Sequence, residues 1–272
     1  MSKYRVIWLF CVALIGSPLA QADALQDAVN SESRSSAERL RDEYRHPQQT
    51  LRFFDVQPNM AVAEISPGGG WYSNILAPLL KGQGQYYAAH FYVDDASPGY
   101  YRNSLDKFKQ KVASDANFSE VKITAFDPVK AQDFAPAGSL DRVLTFRNVH
   151  NWYMQKGQEG IDNAFSSFFK ALKPGGILGV VDHELPESFA DDFQSKSGYM
   201  KRSFVIAAAQ KAGFTLLDSS DVNANPLDHA KHEKGVWTLP PTLTLGEQDR
   251  AKYLAIGESN RMTLKFIKPV TK

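Results

Sequence analysis

A single cysteine, Cys11, is all the thiol this 272-residue chain contains, and it lies inside the apolar run VIWLFCVALIG (6–16). One cysteine makes no internal disulfide. If residue 11 leaves with a leader, the remainder has no thiolate to ligate a metal or attack a substrate. Charge of one sign is scarce too. The net charge is +1, with lysines and arginines scattered among acids, so no basic face recruits nucleic acid or acidic lipid. Beyond the N-terminus no apolar stretch approaches the ~20 residues that cross a bilayer. Internal repeats and low-complexity tracts are also absent. The 43% of residues that are hydrophobic suffice for the core of one compact domain.

Lys3 and Arg5 precede the apolar run, and SPLAQA (17–22) ends it in the small–x–small pattern Ala20-Gln21-Ala22. This reads as a secretory signal peptide over 1–22, with Ala22-Asp23-Ala24 as a second register. The alternative is an uncleaved anchor, against which stands an apolar core shorter than a span. No twin-arginine pair is present, so the chain is expected to cross unfolded and to reach the periplasm with no stable membrane anchor after cleavage. Residues 23–37 begin polar and are expected to be flexible, loose to about Ser35. The folded domain is expected over 38–272.

What is present is an alternation of strands and helices. In AVAEISPGGGWYSNILAPLL (61–80) an apolar strand runs into a triple-glycine turn that opens directly into a helix-like segment. Glycines at 68, 69 and 70 permit positive φ and close approach of a ligand to the main chain, beside the free N–H groups of a helix start. QYYAAHF (85–91), VKITAF (121–126), LDRVLTF (140–146) and ILGVVD (177–182) read as further strands. Segments 103–115, 160–176 and 202–214 read as helices, and Pro47 suits the first position of another. This order implies a mainly parallel sheet covered on both faces.

The ordered set EISPGGGWYSNILAP, LDRVLTFRNVHNWY, ALKPGGILGVVDH and NRMTLKFIKP resembles the class I S-adenosylmethionine-dependent methyltransferases, and most of all their exported predicted branch. The resemblance implies an α/β, Rossmann-like doubly wound sheet of seven strands, the last antiparallel, with an N-terminal helical cap. MTLKFI (262–267) would be that last strand. By the same resemblance Glu64 orders the glycine loop and reaches the cofactor's amino group. Ser66 stands where the family has its first glycine, and Gly68, Gly69 and Gly70 line the cofactor. His90 replaces the acid that clasps both ribose hydroxyls. An imidazole offers one donor and one acceptor, so it does not reproduce that clasp, and Asp94 or Asp95 are substitutes to consider. Asp127 matches an adenine-contacting acid or, equally, a turn former before Pro128. Tyr44, Arg45 and His46 lie where the helical cap covers the pocket.

After the fourth strand the resemblance places methyl-transfer chemistry at RNVHNWY (147–153). Arg147 and Asn148 are candidate cofactor contacts, His150 a candidate general base, Tyr153 a candidate orienter of a hydroxyl acceptor, and Trp152 an apolar wall. Asp182-His183-Glu184 and the set Asp228, His229, His232, Glu233 hold metal-ligand residue types without a ligand spacing, so no metal is expected. The G-x-G-x-x-S run at 68–73 leaves a dinucleotide reading open. The function this implies is transfer of a methyl group from S-adenosylmethionine to oxygen or nitrogen of a small-molecule acceptor. The alternative is a non-catalytic periplasmic ligand-binding protein on the same scaffold.

Overall fold

The computed structural model describes residues 18–270, with side chains from residue 24 onward. The apolar run 6–16 and its basic lead-in lie outside the described residues. In chain order the elements begin with helices α1 (Pro18–Val29), α2 (Ser36–Arg39), α3 (Asp42–Arg45) and α4 (Pro47–Phe53). Strand β1 (Ala61–Ile65), α5 (Ser73–Leu80), β2 (Gln85–Phe91), α6 (Gly99–Ser114) and β3 (Lys122–Phe126) follow. Next come β4 (Leu140–Phe146), α7 (Val149–Ala171), β5 (Leu172–Leu185), β6 (Met200–Lys201) and α8 (Arg202–Lys211). The chain closes with β7 (Thr215–Ser220), α9 (Arg250–Ile256) and β8 (Arg261–Ile267).

The main sheet runs β3-β2-β1-β4-β5-β8-β7, and the two-residue β6 pairs with β5 off this path. β3 to β5 are parallel neighbours, whereas β8 lies antiparallel between β5 and β7. The expected seven-stranded order with an antiparallel last strand is therefore observed, with one short strand added. Alternation along β1 sends Ala63 and Ile65 to one core and Val62 to the other. The first core packs α7 and α8 through Phe165, Phe168, Val205 and Ala209; the second packs α1, α4, α5 and α6 through Leu25, Leu51, Ile75 and Phe108. Connections reverse direction between β1 and β4, and ligands of open α/β sheets bind in the crevice at that switch.

The segment expected to be loose is ordered. Leu25, Ala28 and Val29 are buried in the second core, and Arg34 is wholly buried, donating to the Val29 carbonyl at 2.7 Å and to Asp42 at 2.6 and 2.9 Å. Its polarity is that of an amphipathic helix with three apolar anchors, not of a tail. Residues 147–153 also differ from expectation. Arg147 and Asn148 precede α7 and Val149–Tyr153 open it; the helix continues through a break at Gly157 (φ 58°) to Ala171, so His150 sits in its first turn. β7 has no apolar alternation to announce it, because it is an exposed edge strand held by β8.

Candidate functional site

The residues at the switch point stand on strained backbone. Ser66 and Arg147, just past the ends of β1 and β4, have φ of 49° and 62°, a region unfavourable for side chains with a Cβ. Gly68 and Gly70 are also left-handed, at 58° and 80°, while Gly69 is not. A Cβ on Gly68 or Gly69 would meet nothing within 4 Å, so the turn presents bare main chain to open space; on Gly70 it would press Phe108 at 3.1 Å. Asn148 ties the two strand ends together, its amide donating to the Ile65 carbonyl at 2.8 Å and to Thr145 at 3.2 Å.

Three cavities meet here. The first, about 420 Å³, lies over the turn and is lined by Glu64, Ser66, Gly68, Gly69, Arg147, Asn148 and, from the helical cap, Glu38, Arg41 and Arg45. The second, about 130 Å³, shares Ser66, Phe91 and Asn148 with it and adds Asp127, Asn151 and Trp152. The third, about 350 Å³, shares Arg41, Arg45 and Arg147 with the first and adds His150, His183, Trp237 and Glu258. Arg147 and Asn148, adjacent in sequence, thus partition one continuous crevice.

Glu64 receives hydrogen bonds on Oε2 from Tyr86 at 2.6 Å and Ser73 at 2.8 Å. Its Oε1 makes none to a described residue, and Glu64 borders the first cavity. Burial raises its carboxyl from 4.5 to about 7 against those two donors. Asp127 lines the second cavity and also caps its own turn, with Oδ1 accepting from Val129 and Lys130 N–H at 2.8 Å each. Both roles suggested for it are compatible.

Other expected site residues are placed elsewhere. His90 is fully buried; its Nδ1 accepts the Phe91 N–H at 2.8 Å, which leaves Nε2–H to donate to the Gly68 carbonyl at 3.1 Å. Burial lowers its pKa to about 4, so it is a neutral strut for the glycine turn with no free nitrogen for a ribose hydroxyl. Tyr153 packs against Phe204 of α8, ring centres 5.0 Å apart, and borders none of the three cavities. Asp94 is bound to Lys130 at 2.6 Å, and neither it nor Asp95 borders these cavities. Of the cap residues, Arg45 lines the site, whereas Tyr44 packs against Gly257.

The sequence did not single out the pair that orders the third cavity. Asp182, fully buried on β5, accepts the His150 ring at Nδ1 (2.8 Å) and the His150 backbone N–H (3.1 Å). That bond gives Nδ1–H a carboxylate acceptor and leaves Nε2 without a partner among the described residues. In the sequence Asp182 stood out only as one of the metal-ligand residue types in Asp182-His183-Glu184, not as a partner of His150.

His150, Asp182 and His183 also offer ligand atoms within 4.8 Å of one another. Burial lowers the His183 pKa well below its usual value, and His150, Arg147, Arg261 and Arg45 lower it further. His232 instead bonds Asp228 at 2.8 Å, and Tyr199 bonds the same carboxylate at 3.0 Å, a buried structural network.

No family model matches the sequence, and no curated protein is similar to it in sequence. Solved structures are similar in fold. An S-adenosylmethionine-dependent methyltransferase from Aquifex aeolicus matches at TM-score 0.52 over 91% of this chain and 98% of its own, at 13% identity. Phosphoethanolamine N-methyltransferase 2 of Haemonchus contortus, solved with phosphomonomethylethanolamine and S-adenosylhomocysteine, matches at 0.54 over 90% and 61%, at 14% identity. A possible exported protein of Bordetella parapertussis matches at 0.52 over 92% and 80%, at 16% identity. At these identities the likeness defines the fold: the chain has the class I methyltransferase fold.

Proposed function

We propose that the chain is an exported methyltransferase that uses S-adenosylmethionine to methylate oxygen or nitrogen of a small molecule. The observation that carries this is the placement of the Asp182-oriented His150 in a cavity that shares Arg147 with the cavity over the glycine turn. A fold alone would not support it. The residues fit the cofactor. Bare main chain at Gly68 and Gly69, the free Oε1 of Glu64, and Asp127 with Asn148 would hold it across the first two cavities. The cofactor supplies an electrophilic methyl group; the chain's part is to align the acceptor and take its proton at His150 Nε2.

Gly69→Val is the cleanest test of the cradle, because φ at Gly69 is not left-handed and a Cβ there meets nothing of the protein. Calorimetric titration with S-adenosylhomocysteine should show the parent binding and the folded variant at least about tenfold weaker, since added methyls fill the space needed for close approach. Equal affinities would put the pocket elsewhere.

One feature favours a binding protein instead of an enzyme: with His90 buried, no carboxylate clasps the ribose at the end of β2. Absence of isotopic methyl transfer to any component of a periplasmic small-molecule extract would select that reading. Export rests on the leader-like N-terminus. The mass of the mature protein should correspond to a chain beginning at Asp23, or at Leu25 for the second register, and an intact Met1 would refute it.

A further inference from the structure

The third cavity is lined by three guanidinium groups, Arg41, Arg45 and Arg147, and one carboxylate, Glu258. Glu258 is already committed. It accepts from Arg41 Nε at 2.6 Å, Arg261 Nη1 at 3.1 Å and Arg45 Nε at 3.2 Å. Burial alone would raise its carboxyl; the guanidinium charges outweigh burial and hold it at about 2. Arg261 is satisfied by the carbonyls of Tyr44 at 2.6 Å and Ser259 at 3.2 Å besides Glu258.

The other three are not satisfied. Arg45 is 3% exposed, and its Nη1 has no hydrogen-bond partner among the described residues. Arg41 Nη2 is likewise buried and unpartnered. The Arg147 side chain makes no hydrogen bond to any described residue, although its backbone is held at φ 62° by a 2.7 Å bond from its N–H to the Val181 carbonyl. A left-handed arginine and unpaired buried donors both cost free energy, so a cluster of this kind is stabilised when something accepts from it. Burial lowers the pKa values of Arg45 and Arg147, and for Arg45 the charges of Arg147, Arg41 and Arg261 lower it further while Glu258 opposes them. Trp237, Pro240 and Pro241 supply apolar lining to the same cavity, with the Trp237 and His150 ring centres 6.3 Å apart.

We propose that the third cavity takes an acceptor bearing an oxyanion, a carboxylate or phosphate, which binds Arg147 with Arg41 and Arg45 while the rest of the molecule lies against Trp237. Planar guanidinium forks suit both groups, and charge-assisted hydrogen bonds would fill the vacant donors. That the bound molecule's hydroxyl or amine meets His150 rests on the methyl-transfer reading; the oxyanion site does not.

Binding of 4-hydroxybenzoate, phenyl phosphate and uncharged 4-hydroxybenzamide to the full mature chain, read by calorimetry, tests this. At least one anion should bind tenfold or more tightly than the amide, and the comparison of the two anions identifies carboxylate or phosphate as the preferred group. Arg147→Gln, which loses no hydrogen bond within the protein, should remove that preference while leaving the melting temperature and the weak amide binding in place. Saturating S-adenosylhomocysteine should leave the anion bound. Competition between them would assign the arginines to the cofactor's own carboxylate and overturn the proposal, as would equal affinity for anions and amide. Anion preference without any S-adenosylhomocysteine binding would keep the oxyanion site and remove the methyltransferase reading.

Discussion

His150→Ala should lower methyl transfer by roughly 10²–10⁴-fold while S-adenosylhomocysteine affinity changes less than about threefold, because the imidazole acts on the acceptor's proton and not on the sulfonium. The separation follows from geometry: His150 borders the third cavity and not the first. Asp182→Asn should produce a smaller loss in the same direction. It keeps an oxygen for His150 Nδ1 but removes the charge that stabilises an imidazolium when Nε2 takes a proton. Asp182→Ala is a poorer probe, since the carboxylate also accepts the backbone N–H groups of His150 and His183 at 3.1 and 2.7 Å. Labelled methyl transfer to a periplasmic small-molecule extract is the assay. Label undiminished in His150→Ala would remove it as the base and leave positioning as the origin of any catalysis.

Local signals made the central strands legible, a buried apolar run for β1, β2, β4 and β5, whereas the seven-stranded sheet and its antiparallel β8 followed from the family resemblance and the exposed edge strand β7 carried no signal. Local signals also located the glycine turn, Arg147, Asn148 and His150. What escaped the sequence depends on distant partners. Asp182 becomes the orienter of His150 only when β4 and β5 pair in the observed register. The resemblance put Arg45 in the cap over the pocket, but nothing local marked Arg41, and it is Glu258, more than two hundred residues away, that draws both over the crevice. His90 and Tyr153 failed as site residues for the opposite reason. Each lies near the crevice in sequence, but buried neighbours take its polar or aromatic face first, Gly68 and Phe91 for His90 and Phe204 for Tyr153.

Charge alone does not separate the two cavities: Arg41, Arg45 and Arg147 line both, with Glu38 and Glu64 in the first and Glu258 in the third. Under the two proposals the cofactor's amino group meets Glu64, and an anionic acceptor takes the open arginine donors on the His150 side. Both sets of groups are held on strand ends and the short cap helices.

Stability of the unliganded protein should fall as pH rises from about 5 to 8.5, and Glu64→Gln should flatten that slope. The carboxyl is pushed up from 4.5 to about 7 by burial, so the folded state holds a proton that the unfolded chain releases. For an acid raised in this way, stability is fully present below the unfolded value and is lost as pH passes through the folded one. A shift of this size corresponds to roughly 3 kcal/mol over the window. Urea unfolding at pH 5, 6, 7 and 8.5 reads it directly, and the comparison of slopes is insensitive to any constant cost of burying an amide. The amide introduced by Glu64→Gln retains an oxygen for the Tyr86 and Ser73 hydroxyls, so the hydrogen bonds at 2.6 and 2.8 Å have an acceptor in both proteins. A cationic amino group binding beside Oε1 should favour the ionised form and release the proton. S-adenosylhomocysteine should then reduce the pH slope of the parent and leave that of Glu64→Gln unchanged. Parallel slopes for parent and variant without ligand would show that Glu64 is already ionised when buried, held by Arg147 across the crevice.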